Sequence, residues 1–238
     1  MTMTLHEARD RIAPTGTLRV AINTGNRALV QQDGDRLAGV SPALAHRLAQ
    51  EMGLPCDFRI FSGAGAVVDA VADWDIAFLA VEPARLGVVA FTDPYVLIEA
   101  TYALRDGGPV RGLADVDQPG RVVLVAKGAA YDHALTRSLR HATVVRADDP
   151  GQSIDRFLAG EGDVVAAVRQ TLDRRLGSVP GITVLAEPCL GIGQAMALPR
   201  ARAEVLPALA DFVARAKASG FARAALDASG QGGLIVAP

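Results

Sequence analysis

The stretch Trp74–Tyr95, WDIAFLAVEPARLGVVAFTDPY, decides the fold. It opens with an apolar run, Ile76 to Val81, preceded by Asp75 and stopped at Glu82-Pro83. A short apolar run bounded by turn signals reads as a strand buried on both faces of a parallel sheet. Ligands of such sheets gather beyond the carboxyl ends of the strands. Arg85 falls in the first turn past that end, and its planar guanidinium suits a carboxylate held by two bonds. The competing reading pairs Arg85 with Glu82 three residues back, as on many protein surfaces. The stretch alone leaves both open.

The rest of the chain supplies more such strands. Thr17 to Ile22, Cys56 to Phe61, Arg121 to Ala126, Thr143 to Arg146 and Asp163 to Val168 are short and rich in β formers. Helical segments alternate with them, among them Ser41 to Met52, with Ser41 as candidate cap and Pro42 at the first helical position. Ala203 to Lys217 is a strongly amphipathic helix, with Leu206, Leu209, Phe212, Val213 and Ala216 on one side. Alternation of this kind predicts an α/β fold. Two loops at strand ends can meet a ligand. Asn23-Thr24-Gly25-Asn26-Arg27 offers amide side chains and backbone N–H groups. Lys127-Gly128-Ala129-Ala130-Tyr131 opens a helix, whose first turn offers unpaired N–H groups and partial positive charge to an anion.

Composition narrows the function. Of 238 residues half are apolar and 21% are charged, so a sizeable core is expected and disorder is not. Net charge is −2 and the basic residues are scattered, which argues against a nucleic-acid partner. No apolar stretch approaches the roughly 18 residues that span a bilayer, so direct membrane contact is not expected. The amino end, with Glu7, Arg9, Asp10 and Arg11, lacks the apolar core of a secretory signal and reads as a short exposed helix, Leu5 to Ile12, ended by Pro14. Cys56 and Cys189 have neither metal nor redox spacing, and a reducing compartment is expected. The histidines His6, His46, His133 and His141 show no metal spacing, so no metal and no cofactor is expected. Ser62-Gly63-Ala64-Gly65 is not a dinucleotide loop, because Val68 stands where the third glycine belongs.

Two segments, Ala80-Val81-Glu82-Pro83-Ala84-Arg85 and Phe91-Thr92-Asp93-Pro94-Tyr95, resemble the first-lobe signature of the type 2 periplasmic solute-binding proteins. The likeness is to the amino-acid-binding branch, family 3 of the ABC transporter substrate-binding proteins, and runs in order from Thr17 to about Asp227. It implies a two-lobed fold of the periplasmic-binding-protein type rather than one continuous sheet. Residues 17–106 and 191–238 would form lobe 1 and residues 107–190 lobe 2, after an amino-terminal extension at 1–16. Ile98 to Leu104 and Gly191 to Leu198 would be two crossings, with a ligand cleft between the lobes.

The resemblance also gives residues their roles. Arg85 becomes the clamp for a ligand carboxylate, with Phe78, Ala80, Glu82, Asn23, Asn26 and Arg27 around it. From lobe 2 would come Gly128, Ala129, Ala130 and Tyr131, although the family's hydroxyl residues are replaced here by Ala129 and Ala130. The carboxylate that meets an ammonium group in relatives is absent, its place falling on Val168 or Arg169. An Arg169 facing the ligand would favour a dianion or a neutral-tailed acid. No catalytic residue can be named. The expectation is a binder of a small carboxylate (amino acid, keto acid or dicarboxylate), a carrier or sensor in the cytoplasm. A transporter permease becomes its partner only if the protein is exported to the periplasm. The alternative is an enzyme similar to cyclohexadienyl or arogenate dehydratase, which needs a general acid such as Glu82 or Glu99.

Overall fold

The computed structural model describes residues 3–34 and 36–238; Met1, Thr2 and Asp35 lie outside the described residues. The chain begins with α1 (Leu5–Ile12), β1 (Leu18–Asn23), β2 (Gln31–Asp33), β3 (Arg36–Ala38), α2 (Val40–Met52), β4 (Cys56–Phe61), α3 (Ala64–Asp69) and β5 (Ile76–Ala80). The long strand β6 (Val89–Arg105) is followed by β7 (Val122–Ala126), α4 (Ala130–Ser138), β8 (Thr143–Ala147), α5 (Pro150–Leu158) and β9 (Val164–Val168). Last come α6 (Arg169–Leu176), β10 (Ile182–Val184), β11 (Leu190–Pro199), α7 (Leu206–Ala218), α8 (Phe221–Ala228) and β12 (Ile235–Val236).

Contacts divide the chain into two compact units: Met1–Thr24, Leu29–Leu97 and Gly193–Pro238 in the first, Gly25–Ala28 and Ile98–Ile192 in the second. In the first unit β1 lies between β4 and β5, parallel to both, and β11 adds antiparallel to β5. In the second, β7 lies between β8 and β9, parallel to both, and β9 is antiparallel to the later half of β6. Every residue of β5 and of β9 is buried, as expected of central strands covered on both faces. The sequence predicts separate sheets. Strand pairing instead follows one path, β4-β1-β5-β11-β6-β9-β7-β8, because β6 belongs to both units.

The first unit is tied together at Asp75, which is fully buried where the chain enters β5. Its carboxylate accepts from Arg19 through the backbone N (2.9 Å), Nε (3.1 Å) and Nη2 (2.7 Å), and from Nη1 of Arg202 (2.8 Å). The same Arg202 nitrogen donates to the carbonyl of Ile12 at 3.0 Å, linking α1 to the cluster. Helix α1 starts with a capping box between Thr4 and Glu7. It is not the exposed appendage the sequence predicts. Leu5, Ala8 and Ile12, at helical spacing, are buried.

Two helix starts differ from expectation. Ser41 does not cap α2. Gly39 takes that place with φ +115°, and the buried Ser41 hydroxyl instead meets the Tyr95 hydroxyl at 2.9 Å. A Cβ at Gly39 would lie 2.2 Å from the Leu29 carbonyl, so the position admits only glycine. The predicted helix from Ala203 is split into a 3₁₀ segment, Arg200–Val205, and α7. Pro207 has no N–H to bond backwards and is accommodated only in a first turn.

Candidate functional site

In the first unit β5 ends at Ala80 and the chain makes a 3₁₀ turn, Pro83–Arg85. Proline at the first helical position and the tight turn fold Arg85 back on the strand, so that its Nη1 donates to the Ala80 carbonyl at 2.9 Å. Arg85 is 2% exposed and Glu82 3% exposed, so the reading of these two as a surface pair does not hold. Burial pushes the Arg85 guanidinium down to about 10, opposed by the charge of Glu82. A cation so placed in a desolvated turn interacts strongly with any anion that reaches it. Phe78 lies edge-on to Tyr95, ring centroids 5.8 Å apart, and the register sets it opposite Met196. Phe78, Ala80, Glu82 and Arg85 thus share one short segment. Asn23 ends β1 in the same unit.

Asn26 and Arg27 belong with the second unit. The Thr171 hydroxyl on α6 donates to the Gly25 carbonyl at 3.2 Å and brings this loop against the helix. Arg27 is held below its ordinary value by burial and by Arg174 and Arg175, which lie one turn along from Thr171. Asn26 is 9% exposed, and its Oδ1 has no hydrogen-bond partner among the described residues.

Helix α4 starts after a turn in which Gly128 adopts φ +72°. Ala129 is its cap residue and makes no side-chain hydrogen bond to the first-turn N–H groups. Those groups, with the partial positive charge of the helix start, form a place for an anion. Ala129, Ala130 and Tyr131 are buried at 8%, 7% and 3% exposure. Among the described residues the Tyr131 hydroxyl finds no hydrogen-bond partner of normal geometry, and burial raises its pKa, with the Ala126 backbone opposing. Asp132, which the sequence reading passed over, is 2% exposed and accepts from Gly128 N at 3.0 Å. The signal was available: an acidic residue in a first helical turn, four after the glycine.

Arg169 takes a different part from the one expected. It is the first residue of α6 and binds Glu99 (Nε to Oε2, 3.1 Å) and the carbonyls of Leu185 (2.8 Å) and Ala186 (2.6 Å). With Nε, Nη1 and Nη2 all engaged inside the second unit, it does not act as a free second cation. Glu99 is likewise engaged. Elsewhere, a groove of about 480 Å³ between α2 and α8 is lined by His46, Arg47, Gln50, Glu51 and Phe221. Its charges are already matched, since Arg47 pairs with Glu51 and stacks on Phe221. Among the described residues no group of three His, Cys, Asp or Glu side chains is placed to hold a metal ion. No helix there is long and apolar enough to cross a membrane.

Parallel strands thus lead into a buried-cation turn in the first unit, and into a helix start without a side-chain cap in the second. That architecture is the type II periplasmic-binding-protein fold. Residues 18–227 match the bacterial extracellular solute-binding proteins, family 3, and the chain belongs to that family. Solved structures agree on the fold. A solute receptor for L-cysteine from Neisseria gonorrhoeae is 20% identical, with 95% of this chain and 93% of that chain covered and a TM-score of 0.80. A mutant of ArgBP from T. maritima is 18% identical, with 93% and 98% covered and a TM-score of 0.79. The ancestral amino acid-binding protein AncCDT-1, a precursor of cyclohexadienyl dehydratase, is 19% identical, with 93% and 98% covered and a TM-score of 0.77. No protein of curated function is a significant sequence match.

Proposed function

We propose that the solute is a small carboxylate, held reversibly and without chemistry. The observation that carries this reading is the start of α4, buried and left without a side-chain cap. Within the first unit, the buried Arg85 turn is by itself a place where a carboxylate would meet a cation. The expected preference for a dianion rested on a free Arg169. With that guanidinium bound to Glu99 and two carbonyls, the preference loses its support. Amino acids become the first members of the class to test, since Glu82 in the Arg85 turn can meet an ammonium group. The names of the solved relatives, an L-cysteine receptor and ArgBP, agree with this choice.

The test is a thermal-shift panel of the twenty amino acids, pyruvate, 2-oxoglutarate and succinate, followed by calorimetric titration. At least one of these is expected to raise the melting transition at millimolar concentration. A panel without any shift removes the reading.

A second reading is a cyclohexadienyl dehydratase-like activity. One feature favours it: Glu82 is a buried carboxyl beside a cation, in a position where a general acid could stand. Incubation with prephenate and arogenate separates the two, and binding without chemistry predicts no product. For the compartment we keep the cytoplasm as the proposal, supported by the free thiols of Cys56 and Cys189. Work with a transporter permease, as in this family, then requires export.

A further inference from the structure

The binding reading leaves one buried acid of the second unit unused. Asp132 is the third residue of α4, in the same turn that would receive the solute carboxylate. A full negative charge there, screened little at 2% exposure, would oppose a second carboxylate. The structure supplies its counter-charge from β8. Arg146 Nε lies 2.9 Å from Asp132 Oδ1 and 3.1 Å from Oδ2, and its Nη2 donates to the Thr136 hydroxyl at 2.7 Å. Thr136 in turn donates to Asp132 Oδ1 at 3.2 Å. The remaining capacity of Oδ2 goes to Gly128 N, before the helix. Asp132 therefore holds the Gly128 turn and leaves the N–H groups of its own turn uncapped. The Tyr131 hydroxyl of that same turn is buried as well, with the Ala126 backbone as its nearest polar neighbour and no hydrogen bond of normal geometry among the described residues.

We propose that Asp132 and Arg146 are positioning residues for carboxylate binding. Asp132 shapes the α4 start, and Arg146 neutralises Asp132 so that the start still attracts an anion. The inference rests on the carboxylate reading above and adds to it an electrostatic partner that touches no ligand.

The expected pattern is one that a merely structural role does not give. Arg146→Gln leaves the acid uncompensated, and affinity should fall about five- to thirtyfold, the scale of one charge at a helix start. Arg146→Lys keeps the charge and should stay within about threefold of wild type. Asp132→Asn retains an oxygen for Gly128 N and removes the repulsion, so affinity should hold or rise. The decisive variant is the double one, Asp132→Asn with Arg146→Gln, which should recover most of the affinity lost by Arg146→Gln alone. Purely structural roles predict that the double variant is at least as weak as the worse single.

The probes are the members of the carboxylate panel that bind wild type, titrated by calorimetry at low salt. Unchanged affinity in Arg146→Gln, or a double variant weaker than Arg146→Gln, overturns the inference and leaves the carboxylate reading standing. A wild-type protein that binds no member of the panel overturns both. If Arg146→Gln does not fold, the lysine and double variants still decide: a weak double variant counts against the inference, a recovered one for it.

Discussion

Nη1 of Arg85 donates to the carbonyl of Ala80 at 2.9 Å, so the guanidinium is pinned to the last residue of the strand it follows. One edge of the fork is spent on holding the turn. Arg85→Ala therefore does two things. Loss of a charge-assisted contact to the solute should weaken binding by about one and a half to three and a half decades, from roughly 2 to 5 kcal/mol. Loss of the bond to Ala80 and of a cation near Glu82 should also destabilise the free protein by about 1 to 3 kcal/mol. Arg85→Lys should recover only part of either, because an ammonium lacks the fork. Calorimetric titration and urea unfolding of both variants measure the two effects separately. Wild-type affinity in Arg85→Ala would remove Arg85 from the site.

Asp75 sits between two arginines that are only one-fifth to one-quarter exposed. Burial alone would raise its pKa, but Arg19 and Arg202 outweigh burial and hold it below the usual 3.8. Removing the acid leaves both cations without their shared partner. Asp75→Ala should cost about 3 to 4 kcal/mol, the lower part of the range for a broken buried pair because the arginines retain some water. A denaturant midpoint within experimental error of wild type would contradict this.

Asp117 makes the acid limb of stability testable. Its carboxylate accepts from the backbone N–H groups of Ala142, His141 and Arg140, which hold its pKa at about 2. A carboxylate with a lowered folded-state pKa contributes stability above its unfolded value, and loses that contribution as pH falls toward the folded value. The window here runs from about pH 4 down to about pH 2, and Asp75 acts in the same sense. Asp117→Asn should flatten the loss of stability across that window, read as melting temperature against pH. An unchanged slope would show that other carboxylates govern the acid limb.

Both thiols should react slowly in the folded protein. Burial raises Cys56 and Cys189 from 9.0 to about 11, which lowers the thiolate fraction near neutral pH about a hundredfold. Alkylation by iodoacetamide at pH 8 should therefore be about two decades slower in buffer than in denaturant, where two thiols should be counted. A single slow thiol with one fast one would mean that one of the two environments is misjudged.

The parts of the fold that could be read from sequence are those where burial is nearly complete and the pattern is local. The runs at β5, β7 and β9 need no partner to be recognised, since every neighbour of such a strand is apolar. Helix α6 was missed because only Thr171, Leu172 and Leu176 of its eight residues are buried, too thin a stripe to stand out. The engagement of Arg169 is hidden from the sequence for another reason. Its partners lie 16, 17 and 70 residues away along the chain, and no local spacing reveals a carbonyl offered from that distance. Arg85 reads as a candidate anchor from its place after a strand, whereas its burial follows from the turn that folds it back on Ala80. Asp132 needed no long-range knowledge. Its place in a first helical turn, four residues after Gly128, is visible in the sequence.

The sharing of β6 has a consequence for how the chain is made. The second unit lies almost wholly between Ile98 and Ile192, an unbroken insertion, whereas the first unit needs Gly193–Pro238 to be complete. Strand β11, which pairs with β5, emerges from the ribosome only after the whole of the insertion. The later-encoded unit is therefore expected to fold first, while β1, β4 and β5 wait without one neighbour. Limited proteolysis of ribosome-bound chains stalled just after Ile192 has left the exit tunnel should find β7 to β9 protected and β1 to β5 open to cleavage, and the opposite order would refute it. During that wait a bare, wholly apolar β5 is the segment most exposed to misassociation, and the natural client for a chaperone.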